Sequence, residues 1–310
     1  MVLYDLSAPA KLNLFLHVVG RRADGYHELQ SLFRLITLSD SVTVELRLDG
    51  QISREGELLD QVAEEADLTM RAAHALRAAT GTVLGAHIHV LKRIPSGAGL
   101  GGGSSDAATV LLALNKLWRT GLSRETLMSI GARLGADVPF FIFGQTGFVQ
   151  GVGEKIVKSR LPECSYLLFK PHISISTATV FQDERLTRDT KSIKIMDFSG
   201  CKRFVATDTK SEKILGFGRN DLEAVVLKQH VAVSQLKNQL SQWGFSTRMT
   251  GSGSCLFSEK NNPESAQFAF KELLVKIQAE NAASNREFSD VLESVYVCDG
   301  LDQHPLYDWV

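Results

Sequence analysis

Gly97, Gly99, Gly101, Gly102 and Gly103 crowd into a short segment that runs through Ser104 and Ser105 into an apolar stretch, DAATVLLALNKLW. Glycine at such density costs chain entropy and contributes nothing to a core. Its use is to let backbone N–H groups turn toward an anion without Cβ interference. The run feeds a predicted helix N-terminus, whose free N–H groups and dipole favour phosphate. A glycine hinge is the plain alternative, and it gives no reason for the helix that follows. The segment contains no G-x-x-x-x-G-K-[ST] and so is not a Walker A loop. Gly97, Gly99 and Gly102 satisfy G-x-G-x-x-G, yet the acidic residue a dinucleotide site places about 20 residues later is replaced by WRTGLS.

Two charges stand out against apolar surroundings: Lys11 in APAKLNLFL and Asp137 in LGADVPFF. Buried ionisable groups are either paired or functional. A phosphoryl-transfer site needs a cation against the moving phosphoryl group and a carboxylate near the acceptor hydroxyl. Lys11 and Asp137 supply both, and a purely structural ion pair is the competing reading. Tyr26 and His27 follow the turn GRRADG. They could stack on and hydrogen-bond a planar ligand, or simply pack on the turn. The second glycine turn, Gly251-Ser252-Gly253-Ser254, reads by itself as a tight hairpin. Beside the first loop it becomes a candidate for closing over phosphates. No His or carboxylate spacing suggests a metal site.

These residues must be positioned by both halves of the chain. Strands are predicted over 10–19, 28–38, 41–48, 86–94, 166–171 and 291–299, from apolar runs and alternation. Helices are predicted over 65–80, from Ser104 or Ser105 onward, over 123–134 capped by Ser123, over 220–240 and over 263–279. Pro139 fits a helix start or a loop. STRMTGSGSCLFSE reads as strand, glycine turn, strand, and residues 183–215 as polar and irregular with a weak helix. Strict strand–helix alternation is absent, so the class is α+β. The character changes near 155–165, which suggests one domain over 1–160 and another over 161–310.

The chain has 310 residues, with 34 basic against 35 acidic side chains. That balance argues against a broad nucleic-acid surface. No run approaches the roughly 20 apolar residues of a membrane span. The N-terminal stretch lacks a basic n-region and carries Lys11 and Asn13, unlike a signal peptide. Cys164, Cys201, Cys255 and Cys298 form no C-x-x-C pair, as expected of reduced thiols in a cytoplasmic protein.

The segment from Pro95 to Ala108, PSGAGLGGGSSDAA, resembles the phosphate signature of the GHMP kinase superfamily, with one additional glycine. Together with AKLNLFL, DGYH, GADVPFF and TRMTGSGSCLF, it is similar to the branch whose acceptor is a cytidyl-diphosphate ester of methylerythritol. The resemblance spans residues 8 to 257. It implies a ribosomal-protein-S5-like N-terminal domain and a ferredoxin-like C-terminal domain. It implies transfer of the γ-phosphoryl group of ATP, with Mg²⁺, to the 2-hydroxyl of that acceptor, in the non-mevalonate route to isoprenoid precursors. By the same resemblance Asp137 is the catalytic aspartate and Lys11 its partner. Lys92, Pro95, Gly97, Gly99, Leu100, Gly101, Gly102, Gly103, Ser104 and Ser105 bind ATP. Asn13 and Thr177 contact the acceptor, Tyr26 and Phe181 sandwich the cytosine, His27 hydrogen-bonds it, and the turn around Val152 lends it backbone groups. Asp67 and Asp106 stand where some relatives have Asn beside the nucleotide. Mg²⁺ is expected to arrive with ATP, held by phosphates, water and Ser104 or Ser105. A monomer and a weak homodimer are both open, without nucleic-acid or membrane partners. The alternatives are a GHMP kinase for another alcohol or sugar, and a non-catalytic nucleotide-binding regulator.

Overall fold

A computed structural model describes residues 1–56, 63–193, 218–283 and 288–310. Its spine is a long antiparallel pair, β1 (Val2–Arg21) and β2 (His27–Arg47). β2 is one strand where two were expected. β1 pairs straight through Ser39, Asp40 and Ser41 and absorbs the irregularity in a bulge between Pro9 and Lys11. Along its other edge β2 meets β5 (Gly147–Gly151) through residues 29–33, β10 (Leu292–Leu301) through Leu35 and Ile36, and β4 (Gly85–Leu91) through residues 41–47. β3 (Ile52–Glu55) runs parallel to β4, and β6 (Lys155–Lys158) extends β5.

Over this sheet lie α1 (Leu68–Thr80), α2 (Gly102–Leu117), α3 (Arg124–Ala132) and α4 (Val138–Phe143). α2 is apolar on nearly every face and buried among the others, so it makes the centre of the first core. Ser123 caps α3 as expected, accepting from Thr126 N–H. Pro139 sits in the first turn of α4, where its missing N–H costs nothing.

In the second half β10, β7 (Ser165–Pro171), β9 (Leu256–Lys260) and β8 (Arg248–Met249) form an antiparallel sheet in that order. A second core packs α6 (Glu223–Gln229), α7 (Val231–Gln242) and α8 (Pro263–Ala283) on it. The single helix expected over 220–240 is two helices, because His230 leaves helical geometry at φ −124° and ψ 93°. Residues 183–193 are irregular, and the rest of the weak helix expected up to 215 lies outside the described residues, as does Cys201. Cys164, Cys255 and Cys298 are buried free thiols. A third core, with Leu12, Phe15, Leu100, Phe148, Tyr166 and Phe257, joins the halves beneath the glycine loops. Residues beyond β10 return to the first half, where Leu306 packs into its core. No helix among the described residues is long and apolar enough to cross a membrane.

Candidate active site

Where the two halves meet, a cleft of about 430 Å³ is lined by the first glycine loop, Lys11, Asn13, Asp137, Thr177 and the second glycine turn. Both glycine segments owe their shape to conformations that a side chain would resist. Gly97, Gly99 and Gly101 all have positive φ, and Gly101 ends the loop as the N-cap of α2. A Cβ on Gly99 would stand 2.3 Å from the carbonyl oxygen of Thr250. The loop carbonyls face the second turn: Gly97 O accepts from Ser254 N–H at 3.2 Å and Ala98 O from Cys255 N–H at 3.3 Å. With its carbonyls so engaged, the loop leaves the first N–H groups of α2 directed at the cleft. The second turn is thus no free hairpin; it is locked edge-on to the first loop.

Lys11 is 4% exposed. Its ammonium bonds Asn13 Oδ1, lies 3.6 Å from Asp137 and sits 4.7 Å above the Phe33 ring. Burial pushes the Lys11 pKa below its usual range, and Asp137 pulls it partly back. Asp137 is the N-cap of α4, makes no capping bond, and its side chain is a third exposed toward the cleft. It is the one carboxylate among the described residues lining the cleft. Asn13 is fixed from both sides: its N–H donates to Thr250 Oγ1 at 2.9 Å, and its amide to Ser31 Oγ at 3.0 Å.

The structure brings together Lys11, Asn13, Lys92, Pro95, Gly97, Gly99, Leu100, Gly101, Gly102, Gly103, Ser104, Asp137, Val152 and Thr177 around one cleft. Ser105 is not among them: its buried hydroxyl donates to Pro9 O at 2.7 Å, so only Ser104 offers a hydroxyl at this helix end. Lys92 reaches the cleft, but its ammonium is held between Asp40 and Asp106. Burial alone would lower its pKa; Asp106 and Asp40 outweigh that and raise it. Burial, with Asp40 close by, pushes Asp106 up to about 7 against the pull of Lys92. Asp67 caps α1 through Thr69 and Met70 N–H and pairs with Arg54, so its carboxylate serves the helix. Val152 N–H is taken by Glu154 at 2.7 Å, and Thr177 Oγ1 meets Ser252 Oγ at 2.7 Å.

Tyr26, His27 and Phe181 do not line the cleft; the elements of the last two reach it through Leu29 and Thr177. His27 and Phe181 stack with centroids 5.1 Å apart, while Tyr26 is 65% exposed on its turn. Three positions that hold residues of the candidate site escaped the sequence reading. Asp40 anchors Lys92 and accepts from Arg93 and Ile94 N–H; read as lying between two strands, it carried no signal in the sequence. Asn220 donates to the carbonyls of Met249 and Gly251 and so holds the second turn. Arg188 donates to His27; nothing in its local sequence marks it.

A family model described as the GHMP kinases N terminal domain matches residues 67–145. Proteins named 4-diphosphocytidyl-2-C-methyl-D-erythritol kinase from Bordetella bronchiseptica and Thiobacillus denitrificans are 49% and 46% identical to this chain. The matches cover 100% and 98% of it, and 99% and 97% of those proteins. A crystal structure of 4-(cytidine 5'-diphospho)-2C-methyl-D-erythritol kinase is similar at a TM-score of 0.69 and 29% identity, over 97% of this chain and 99% of that one. Homoserine kinase from Cytophaga hutchinsonii, 14% identical over 98% of this chain and 95% of its own, shares the fold at a TM-score of 0.63.

Proposed function

The chain belongs to the 4-diphosphocytidyl-2-C-methyl-D-erythritol kinases of the GHMP superfamily, and from that premise we propose the roles of its residues. The enzyme transfers the γ-phosphoryl group of ATP to the 2-hydroxyl of 4-diphosphocytidyl-2-C-methyl-D-erythritol, giving the 2-phosphate and ADP. The observation that carries the assignment of roles is the Lys11–Asp137 pair facing the glycine loop across one cleft.

Phosphoryl transfer asks the protein for positioning and charge stabilisation more than for covalent chemistry. The N–H groups of Gly101 to Ser104 cradle the triphosphate. Asp137 orients the acceptor hydroxyl and takes its proton. Lys11 holds Asp137 in place and offsets charge on the moving phosphoryl group. Asn13 and Thr177 hold the methylerythritol part, and His27 with Phe181 reads the cytosine, Tyr26 swinging in from its exposed turn to complete the stack. A Mg²⁺ that comes with ATP fits the hard oxygen donor that Ser104 offers at the cleft, while Asp40 and Asp106 are taken by Lys92. Ser104 is the side chain that would add to phosphate and water ligands; the ion supplies charge neutralisation of the phosphates. Residues 1–160 then carry the phosphate loop and the catalytic pair, and 161–310 contribute Thr177, Phe181 and the second turn. We further read the protein as cytoplasmic and as a monomer or weak homodimer.

The test is an ADP-release assay with the cytidyl acceptor beside mevalonate, homoserine and galactose. Turnover with the cytidyl compound alone is expected. Turnover with another alcohol in its place would discard the cytosine pocket.

A further inference from the structure

Arg188 has no role in the phosphoryl-transfer scheme, yet its guanidinium is bonded on several sides to His27 and to the chain around Phe181. It donates through Nε to His27 Nε2 at 3.0 Å, and through its terminal nitrogens to the carbonyls of Phe181 at 3.1 Å, Asp183 at 2.8 Å and Leu186 at 3.1 Å. It therefore ties together the two rings that stack at 5.1 Å. Both rings belong to elements that reach the cleft. Phe181 lies one helical turn beyond Thr177 on α5 (Thr177–Gln182), and His27 precedes the cleft residue Leu29 by two on β2, on the same face.

A guanidinium carries donors only. An imidazole nitrogen that receives one of them must present its lone pair. Nε2 of His27 is therefore unprotonated, and the ring proton of the neutral imidazole resides on Nδ1. Burial, and then the cations Arg188 and Arg21, lower the His27 pKa and so favour the neutral ring. Among the described residues no protein acceptor pairs with Nδ1, so this N–H is available to a ligand.

We propose that Arg188 is a positioning residue that sets the base selectivity of the enzyme, by fixing His27 as an Nδ1–H donor toward the pyrimidine. The inference rests on the reading of His27 and Phe181 as the cytosine site. Cytosine presents a donor at its 4-amino group, an acceptor at N3 and an acceptor at O2. Uracil presents an acceptor at O4, a donor at N3 and an acceptor at O2. The central N3 position differs in sign. A fixed Nδ1–H bonds cytosine N3 and meets uracil N3–H donor to donor, leaving both groups unsatisfied. Without the guanidinium the imidazole is free to exchange tautomers. It could then turn a lone pair toward uracil, and the discrimination would shrink.

The experiment has two readouts. Long-range ¹⁵N NMR of the substrate-free enzyme, with His27→Gln to assign the signal, is expected to show the Nδ1–H tautomer. Arg188→Met is expected to give a tautomer mixture, and Arg188→Lys, which keeps a donor, to restore the single form. In parallel, kcat/KM is measured for the cytidyl acceptor and its uridyl analogue. Arg188→Met should lower the cytidyl-to-uridyl ratio by roughly tenfold or more, the size of one hydrogen-bond mismatch, and Arg188→Lys should recover much of it. His27→Gln, whose amide can present either sign, should lose the ratio with Arg188 intact. An Nε2–H tautomer in the wild type overturns the proposal, as does a ratio that falls in His27→Gln but holds in Arg188→Met. A ratio untouched by both variants overturns the cytosine site itself, and the Arg188 role with it, even where the NMR tautomer is as expected.

Discussion

The contact between the glycine segments can be tested with one methyl group. Gly99 has a φ of 75°, and a Cβ there would lie 2.3 Å from Thr250 O, 3.1 Å from Gly253 O and 3.2 Å from Gly253 N. All three are backbone atoms, so no side chain can swing aside. Gly81, which closes α1, has a similar φ of 68° with nothing within 4 Å of its would-be Cβ. Gly81→Ala therefore reports the conformational cost alone, about 1–2 kcal/mol. Gly99→Ala adds the cost of forcing two packed backbones apart, about 1–3 kcal/mol more. The bonds from Ser254 and Cys255 to the loop carbonyls, already 3.2 and 3.3 Å, would have to break. In a chain of this size each kcal/mol moves the melting temperature by roughly 2–4 °C. Calorimetry should therefore show Gly99→Ala melting several degrees below Gly81→Ala. The ADP-release assay should show a raised KM for ATP and a lower kcat in Gly99→Ala alone. If Gly99→Ala matches Gly81→Ala in melting temperature and the wild type in KM for ATP, the two loops are not locked as described.

Asp137→Asn keeps the shape but cannot accept the hydroxyl proton; kcat should fall about 10²–10⁴-fold in a protein that still folds, with a melting temperature lowered only by the loss of the Lys11 counter-charge, and retained turnover would remove Asp137 from the mechanism. His304 is buried, and its pKa is lowered to about 3, by burial first and Arg124 second. The unfolded chain protonates this group near pH 6.5 while the folded one does not, so its stability contribution is full above pH 6.5 and lost as pH falls toward 3. That loss runs at about 1.4 kcal/mol per pH unit, and His304→Asn, which keeps an acceptor for Leu306 N–H, should flatten this limb in denaturant titrations. Lys92→Met leaves Asp40 and Asp106 buried without their cation and should cost about 3–5 kcal/mol at pH 8. Protonation of Asp106 should restore part of that stability as pH falls, and adding Asp106→Asn should restore a similar part at pH 8; a loss independent of pH would refute the charge argument.

The residues that line the cleft were legible because they break local rules. A lysine in an apolar strand, an aspartate before a proline-started helix and five glycines ahead of a helix make no sense as packing, and the structure places all of them on one cleft. Element types were legible too, since alternation and helical spacing report which face of a segment is buried. What tertiary structure decided was partnership. The sequence does not say that Ser105 turns to Pro9 O while Ser104 faces the cleft, or that Lys92 is held by Asp40, 52 residues away. Nor does it say that β2 runs unbroken through Ser39 and Asp40, or that Arg188 reaches back to His27. Local preference is set within a few residues of chain, whereas a hydrogen bond or an ion pair is chosen among every group the folded chain brings within about 3 Å. The residue types thus point to a glycine loop and a Lys–Asp pair that want partners; only the folded chain determines which donor faces the cleft and which is already spent on a neighbour.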